Sequence, residues 1–189
     1  QEALKLPKLK DGSRVFVNSM SDVYLSTFPL EQIRQGFDVM NTHPKLDFQI
    51  LTKRAQRMAI LAKELSWSPN IWQGVSVENQ GCDFRFRYLR NHPAGIDFVS
   101  AEPLIGPLDL SAYLDDLNWV IVGGESGPKA RPMNLTWAWA LRDQCIDAKI
   151  PFFYKQSGAH HQCSHEECGT KGCEYLDGKA WKQFPVSTT

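Results

Sequence analysis

The sequence predicts an α/β fold, a partial (β/α) barrel of about six parallel strands. Three observations predict it. Short apolar runs recur along the chain, segments with helical spacing separate several of them, and every run ends in polar or charged residues. Near-continuous apolar strands alternating with amphipathic helices form parallel sheets covered on both faces. A doubly wound open sheet shares that pattern. The polar endings favour the barrel, because a barrel gathers all its strand ends at one face. An open sheet focuses only the ends near its switch point. Six strands are too few to close an eight-stranded barrel.

The first run, Val15-Phe16-Val17, leads into Asn18-Ser19-Met20-Ser21-Asp22. A helix over residues 30–40 follows, with Leu30, Ile33, Phe37 and Met40 at helical spacing. Pro29 stands near its start, where a missing N–H costs little. The run Phe48 to Leu51 ends in Thr52-Lys53-Arg54, and a helix over 55–65 places Met58, Leu61, Ala62 and Leu65 on one side. The third run, Ile71 to Val75, leads into Ser76-Val77-Glu78-Asn79 and a shorter helical stretch over 80–92. Phe98-Val99-Ser100 leads into Ala101-Glu102-Pro103, with a turn of helix over 109–114. Trp119 to Val122 ends in Gly123-Gly124-Glu125-Ser126. The helix over 137–148 takes Asn134 or Thr136 as N-cap. Pro151 to Tyr154 then leads into Lys155-Gln156.

A chain of 189 residues with this apolar content predicts one domain with its own core. We divide it into a partial barrel over 1–156 and a cysteine- and histidine-rich extension over 157–189. Lysine plus arginine equals aspartate plus glutamate at 21 each, so the net charge gives no general pull toward nucleic acid or anionic membrane. Arg85, Arg87 and Arg90 form a modest basic group, read as a solvated face or a local patch. No apolar run approaches the roughly 18 residues of a membrane span. Residues 1–10 lack the apolar core of a signal peptide, so a cytoplasmic location is expected. Five cysteines in such a chain argue for thiols or metal over a disulfide framework.

Five constellations carry candidate chemistry. Gly123-Gly124-Glu125-Ser126, with Arg131 after it, combines glycines that admit a close ligand, a carboxylate for amines or hydroxyls, and a guanidinium for a carboxylate. It reads equally as a tight turn with a Glu–Arg pair. Asn18, Ser21 and Asp22 either bind a ligand or cap the next turn. Thr52, Lys53 and Arg54 either hold an anion or start a solvated helix. Alternation points Ser76 and Glu78 to one side of their strand, so Glu78 and Glu102 could crowd for acid–base work or pair with Lys53, Arg54 or Lys155. Cys163, Cys168 and Cys173, spaced C-x4-C-x4-C, with His165 among three nearby histidines, suit a Cys3His zinc site or part of an iron–sulfur site. Free thiols in a loop are the other reading.

The motifs VFVNSMSDV, FQILTKR, IWQGVSVENQ, FVSAEPLIGPLDL, WVIVGGESGPKARPM, LRDQC and PFFYKQSG occur in that order, with LDGKAWKQFP near the end. Together they resemble the bacteriophage gene product thirty-seven/sixty-eight family, a radical S-adenosylmethionine-like family of poorly defined function, over nearly all of residues 14–185. The resemblance implies a radical-SAM-like partial barrel that lacks the first strand, a [4Fe–4S] cluster and S-adenosylmethionine. The cluster's three cysteines would lie in a loop after that first strand, and this chain has none before Cys82. The chain then reads as the C-terminal body, without the N-terminal cluster-binding segment. Matched to the family, Asn18, Ser21, Asp22, Lys53, Ser76, Glu78, Asn79, Glu102, Gly123, Gly124, Glu125, Ser126, Arg131 and Lys155 become candidate cofactor-binding residues at the barrel mouth. Cys163, His165, Cys168 and Cys173 are candidate zinc ligands peculiar to this branch.

Two functions follow as expectations. One is a radical S-adenosylmethionine enzyme body that binds cofactor or substrate at its strand ends. The other is a cluster-less phage protein that binds and inhibits a host defence protein. An open sheet edge at the missing first strand would favour such a partner, or self-association.

Overall fold

The computed structural model describes residues 8–90, 92–160 and 172–186. Its main sheet has six strands: β1 (Arg14–Val17), β2 (Asp47–Thr52), β3 (Ile71–Ser76), β4 (Ile96–Ala101), β5 (Trp119–Val122) and β6 (Phe152–Tyr154). They lie in the order β1-β2-β3-β4-β5-β6, and each pairing whose register is described is parallel, with Phe16 beside Gln49, Phe48 beside Ile71, Phe98 beside Trp119 and Val120 beside Phe152. The fold is α/β, as predicted. A strand order without reversal has no switch point, so the doubly wound alternative is excluded and the winding is that of a (β/α) barrel segment. Among the described residues four α-helices accompany the sheet: α1 (Leu30–Asn41), α2 (Ala55–Leu61), α3 (Phe86–Leu89) and α4 (Leu135–Asp147). The chain forms two compact units. The first runs through Val75 and takes in Arg85–Asp97, and the second takes in Ser76–Phe84 and Phe98–Pro185.

In the first unit, α1 buries Ile33, Phe37 and Met40, one apolar stripe at helical spacing. Asn70 ties its C-terminal end down. The buried amide nitrogen of Asn70 reaches the carbonyls of Met40, His43 and Leu46 at 3.3, 3.0 and 2.8 Å. The rest of α1 divides into a charged side with Glu31, Arg34 and Asp38 and an uncharged one with Gln32, Gln35, Gly36 and Val39. Gly36 sits in the helix interior, where a glycine costs roughly 0.5–1 kcal/mol relative to alanine. Nothing lies within 4 Å of where its Cβ would be. The helix expected over 55–65 ends earlier, at Leu61, and tightens into a 3-10 turn over Ala62–Glu64. The C-terminal turn of a helix often tightens in this way.

The His92 side chain is a buried titratable group of this unit. Its ring stacks on Trp67 with centroids 5.2 Å apart, and Trp67 in turn meets Phe37 edge-on at 4.8 Å. The amide of Ala94 donates to Nδ1 at 3.1 Å, which leaves the proton of the neutral ring on Nε2, facing Asp97 Oδ1 at 3.3 Å. Burial outweighs a backbone hydrogen bond that favours the charged ring, and lowers the pKa from 6.5 to about 4. Because the folded pKa lies below the unfolded one, the unfolded chain binds the proton first as pH falls. His92 therefore supports stability fully above pH 6.5, and that support drains away toward pH 4. Urea unfolding between pH 7 and 4 should show a loss on the order of 3 kcal/mol from this residue. His92→Gln should flatten that slope, and an unchanged slope in the variant would refute the assignment.

In the second unit, Asn134 is the N-cap of α4, its side chain accepting from the Thr136 amide at 3.0 Å. The helix buries Ala138, Leu141 and Cys145, and burial pushes the Cys145 thiol up to about 12. A hairpin of β7 (Tyr175–Leu176) and β8 (Lys179–Ala180) turns through Asp177 and Gly178, both at positive φ. That turn is the Asp-Gly type favoured in two-residue hairpins. The chain then runs antiparallel to β6. The amide of Tyr154 donates to Trp181 O at 2.8 Å, Gln183 N to Phe152 O at 3.2 Å, and Phe153 bridges Lys182. The outer edge of β6 is thus covered by the chain itself. Trp119 Nε1 donates to Gln183 O at 2.9 Å, and the rings of Phe98, Trp119, Phe153 and Phe184 pack together.

Candidate functional site

Each unit gathers predicted residues at its strand ends. In the first, the loop after β1 folds back through Asn18, whose carbonyl accepts from the Ser21 amide at 3.0 Å. This presents Asp22 to the end of β2. Oδ1 of Asp22 accepts from the Tyr24 amide at 2.9 Å and Thr52 Oγ1 at 2.8 Å. Oδ2 accepts from the Lys53 amide at 3.1 Å and from the Arg54 guanidinium at 2.8 Å. Both oxygens are committed to the protein's own donors, so Asp22 anchors a loop. Beneath it, the fully buried Tyr24 hydroxyl donates to Gln73 Oε1 at 2.8 Å, and Gln73 Nε2 donates to Gly74 O at 2.8 Å. Burial, and secondarily the Asp22 charge, raise the Tyr24 hydroxyl far above its ordinary pKa, so it remains a donor.

The second unit assembles the richer constellation. Ser76 and Glu78 are buried at the end of β3. The amide of Val77 donates to Ser100 O and that of Ile105 to Glu78 O, both at 3.0 Å, fixing the path beside β4. Glu102 follows β4. Ser100 Oγ donates to its Oε2 at 3.1 Å, and Lys155, just past β6, reaches its Oε1 at 3.1 Å. Beyond β5, Glu125 holds Arg131 by three bonds. Nε and the backbone amide of Arg131 both donate to Oε2 at 2.8 Å, and NH2 donates to Oε1 at 2.9 Å. That bidentate fork, then the charges of Glu125 and Glu78, keep Arg131 further toward its protonated form. The carboxylates sit inside and the cations outside. Side-chain exposure is 19% for Glu102 and 29% for Glu125, against 56% for both Lys155 and Arg131.

The glycine pair has a different role from the ligand approach expected of it. A Cβ on Gly123 would stand 2.5 Å from Glu102 Oε1, and one on Gly124 would stand 2.2 Å from the Ser157 carbonyl oxygen. Both glycines make room for the protein's own groups. Asn79 makes a local turn bond, its Oδ1 accepting from the Gly81 amide at 2.9 Å, and Ser126 is exposed. Sequence reasoning missed Ser100, Gln156 and Ser157. Ser100 was legible by alternation, two residues before Glu102 on one face. Gln156 and Ser157 follow Lys155 directly, and they pair with Gly124 O at 3.0 Å and the Cys173 amide at 2.7 Å.

Of the candidate zinc ligands, Cys163, His165 and Cys168 lie outside the described residues. Cys173 is buried, its amide on Ser157 Oγ. Among the described residues no group of three His, Cys, Asp or Glu side chains could hold a metal ion.

Chemically, three carboxylates and two cations accept both charges of a zwitterion. Glu102 and Glu125 already hold Lys155 and Arg131, so a zwitterion would enter by exchanging into these ion pairs, its carboxylate to an exposed cation and its amine to a carboxylate. The chain matches the model of a family described as a protein of unknown function (DUF5131) over residues 1–185, and it belongs to that family. No curated protein and no solved structure matches it.

Proposed function

We propose that this chain is the body of a radical S-adenosylmethionine-like protein and that the strand ends of its second unit bind S-adenosylmethionine. One observation carries the proposal. Glu78, Glu102, Glu125 and Lys155 follow the ends of β3, β4, β5 and β6, consecutive strands in the sheet, and Glu125 holds Arg131 from the loop after β5. This donor set fits the cofactor. Its aminoacyl carboxylate would take Lys155 or Arg131, and its amine and ribose hydroxyls would take the carboxylates. Bound there, the cofactor supplies an activated carbon–sulfur bond. The protein's part is to orient the zwitterion and, through Glu102 and Ser100, to hold Lys155 in place. A [4Fe–4S] cluster does not fit the described residues. Their cysteines are Cys82, Cys145 and Cys173, and the Cys145 thiol is buried and held protonated. No step is derived through it.

Calorimetric titration with S-adenosylmethionine tests the reading. Saturable binding is expected, and Lys155→Met and Glu102→Gln should each weaken it about tenfold, the worth of one charge-assisted hydrogen bond. Absence of binding to the unaltered chain sinks the proposal. A second reading, a cluster-less phage protein that inhibits a host protein, is favoured by the edge of β1. Phe16 there is 45% exposed, and Met20 just beyond is 96% exposed. The same titration separates the two, since the second reading needs no cofactor.

A further inference from the structure

The chain after β5 makes an excursion from Glu125 to Arg131, and the fork between these two side chains closes it. Ser126 to Lys129 are exposed, and the path turns through Gly127 at positive φ, where the Ala130 amide donates to Gly127 O at 3.2 Å. The fork itself stands open to water, with side chains 29% and 56% exposed, so it holds the excursion only weakly. Two consecutive residues of the loop after β6 pin both ends. The Ala159 amide donates to Glu125 O at 2.9 Å, and His160 Nε2 donates to Ala130 O at 2.5 Å. A carbonyl only accepts, so Nε2 carries the proton in this bond. Gly158 permits the close approach, since a Cβ there would stand 2.7 Å from Glu125 O. In the sequence His160 opens the histidine- and cysteine-rich stretch. In the fold its ring serves the loop of Arg131.

We infer that His160 is a positioning residue for Arg131, an inference that rests on the strand ends of this unit binding a zwitterion. A ligand carboxylate that takes Arg131 displaces Glu125 from it. The fork then no longer ties the excursion shut. What remains is the Ala159 bond, the Ala130 turn and His160, and of these His160 grips the residue directly before Arg131 from outside the excursion. It therefore keeps the guanidinium at the site while its partner is exchanged. Its contribution is larger with ligand bound than without, so its loss should lower affinity more than stability. The same loop begins with Lys155, whose amide donates to Val122 O at 2.8 Å. One segment thus sets the places of both cations.

Phenylglyoxal labelling of arginines, read by peptide mass mapping, tests the inference without a ligand. The reagent reacts with a guanidinium that has left its carboxylate. His160→Leu removes the donor and should speed labelling of Arg131 about fivefold, the worth of one hydrogen bond. His160→Gln keeps an amide donor at similar reach and should restore the slow rate. Arg142, held on α4 by Asp143 and Asp177, is the internal control and should not change. Calorimetric titration with S-adenosylmethionine should rank the three proteins in the same order, with their melting temperatures nearly equal. Equal labelling of Arg131 in all three overturns the inference. So does a parallel rise at Arg142, which marks general loosening, or an affinity that His160→Leu leaves unchanged. If the unaltered chain takes no S-adenosylmethionine, the proposed function falls, and the labelling rates alone decide the role of His160.

Discussion

Asp22→Ala should cost the protein about 3 kcal/mol, read as a lowered urea midpoint, because it strands the Tyr24 amide and the Thr52 hydroxyl, both on buried residues, at once. One carboxylate, 14% exposed, holds the Tyr24 and Lys53 amides, the Thr52 hydroxyl and the Arg54 guanidinium. These do not contribute equally. Arg54 is 42% exposed and can return to water, so its ion pair adds little. Lys53 is exposed too, so the buried Thr52 hydroxyl and the Tyr24 amide carry most of the loss. Asp22→Asn keeps one acceptor oxygen and should lose about half as much. If the two variants match the unaltered protein, Asp22 is not the anchor and a ligand-facing role for it reopens.

The sequence placed Asp22 in a polar strand ending and left two roles open. It could not choose between them, because the deciding donors lie thirty residues on. Only the parallel register, Val17 beside Ile50, brings Thr52 to Arg54 up to the end of β1. The strands themselves were legible for the opposite reason. A parallel strand buries both faces, so Phe48 to Leu51, Ile71 to Val75 and Trp119 to Val122 announce themselves as local apolar runs. The hairpin of β7 and β8 carried a local signal too, in Asp177-Gly178, which passed unread among the nearby cysteines. The return of Lys182 to Phe153 carried none, since it depends on a chain reversal elsewhere.

Gly124→Ala is the second large effect, a destabilisation of about 3 kcal/mol from forced overpacking. The new methyl would meet the Ser157 carbonyl oxygen at 2.2 Å, its carbon at 2.5 Å and the Gly158 nitrogen at 2.7 Å, all backbone. That backbone cannot swing away. Gly124 N donates to Gln156 O at 2.8 Å, Gln156 Nε2 returns to Gly124 O at 3.0 Å, and Ser157 N is held by Cys173 O at 2.8 Å. Gly123→Ala differs in kind, since its nearest neighbour is the end of the Glu102 side chain. A carboxylate can rotate, so stability should fall less, about 1 kcal/mol. Rotation would also pull Glu102 from Lys155, so this variant should weaken S-adenosylmethionine binding more than it lowers the melting temperature. Equal losses of stability in the two variants would show that the Gly124 neighbourhood yields more than its hydrogen bonds imply. The glycine pair was visible in the sequence, but what fills its space comes from the ends of β4 and β6.

The sequential strand order also bears on how the chain is made. Each strand docks beside the one synthesised just before it, so the sheet can grow one β–α step at a time as the polypeptide leaves the ribosome. No strand has to wait for a distant partner, except on the far side of β6. Its cover, centred on Lys182, emerges well after Phe153. Through that interval the nascent protein displays a bare strand, and it is then that chaperones, or a neighbouring chain on the same messenger RNA, would meet it.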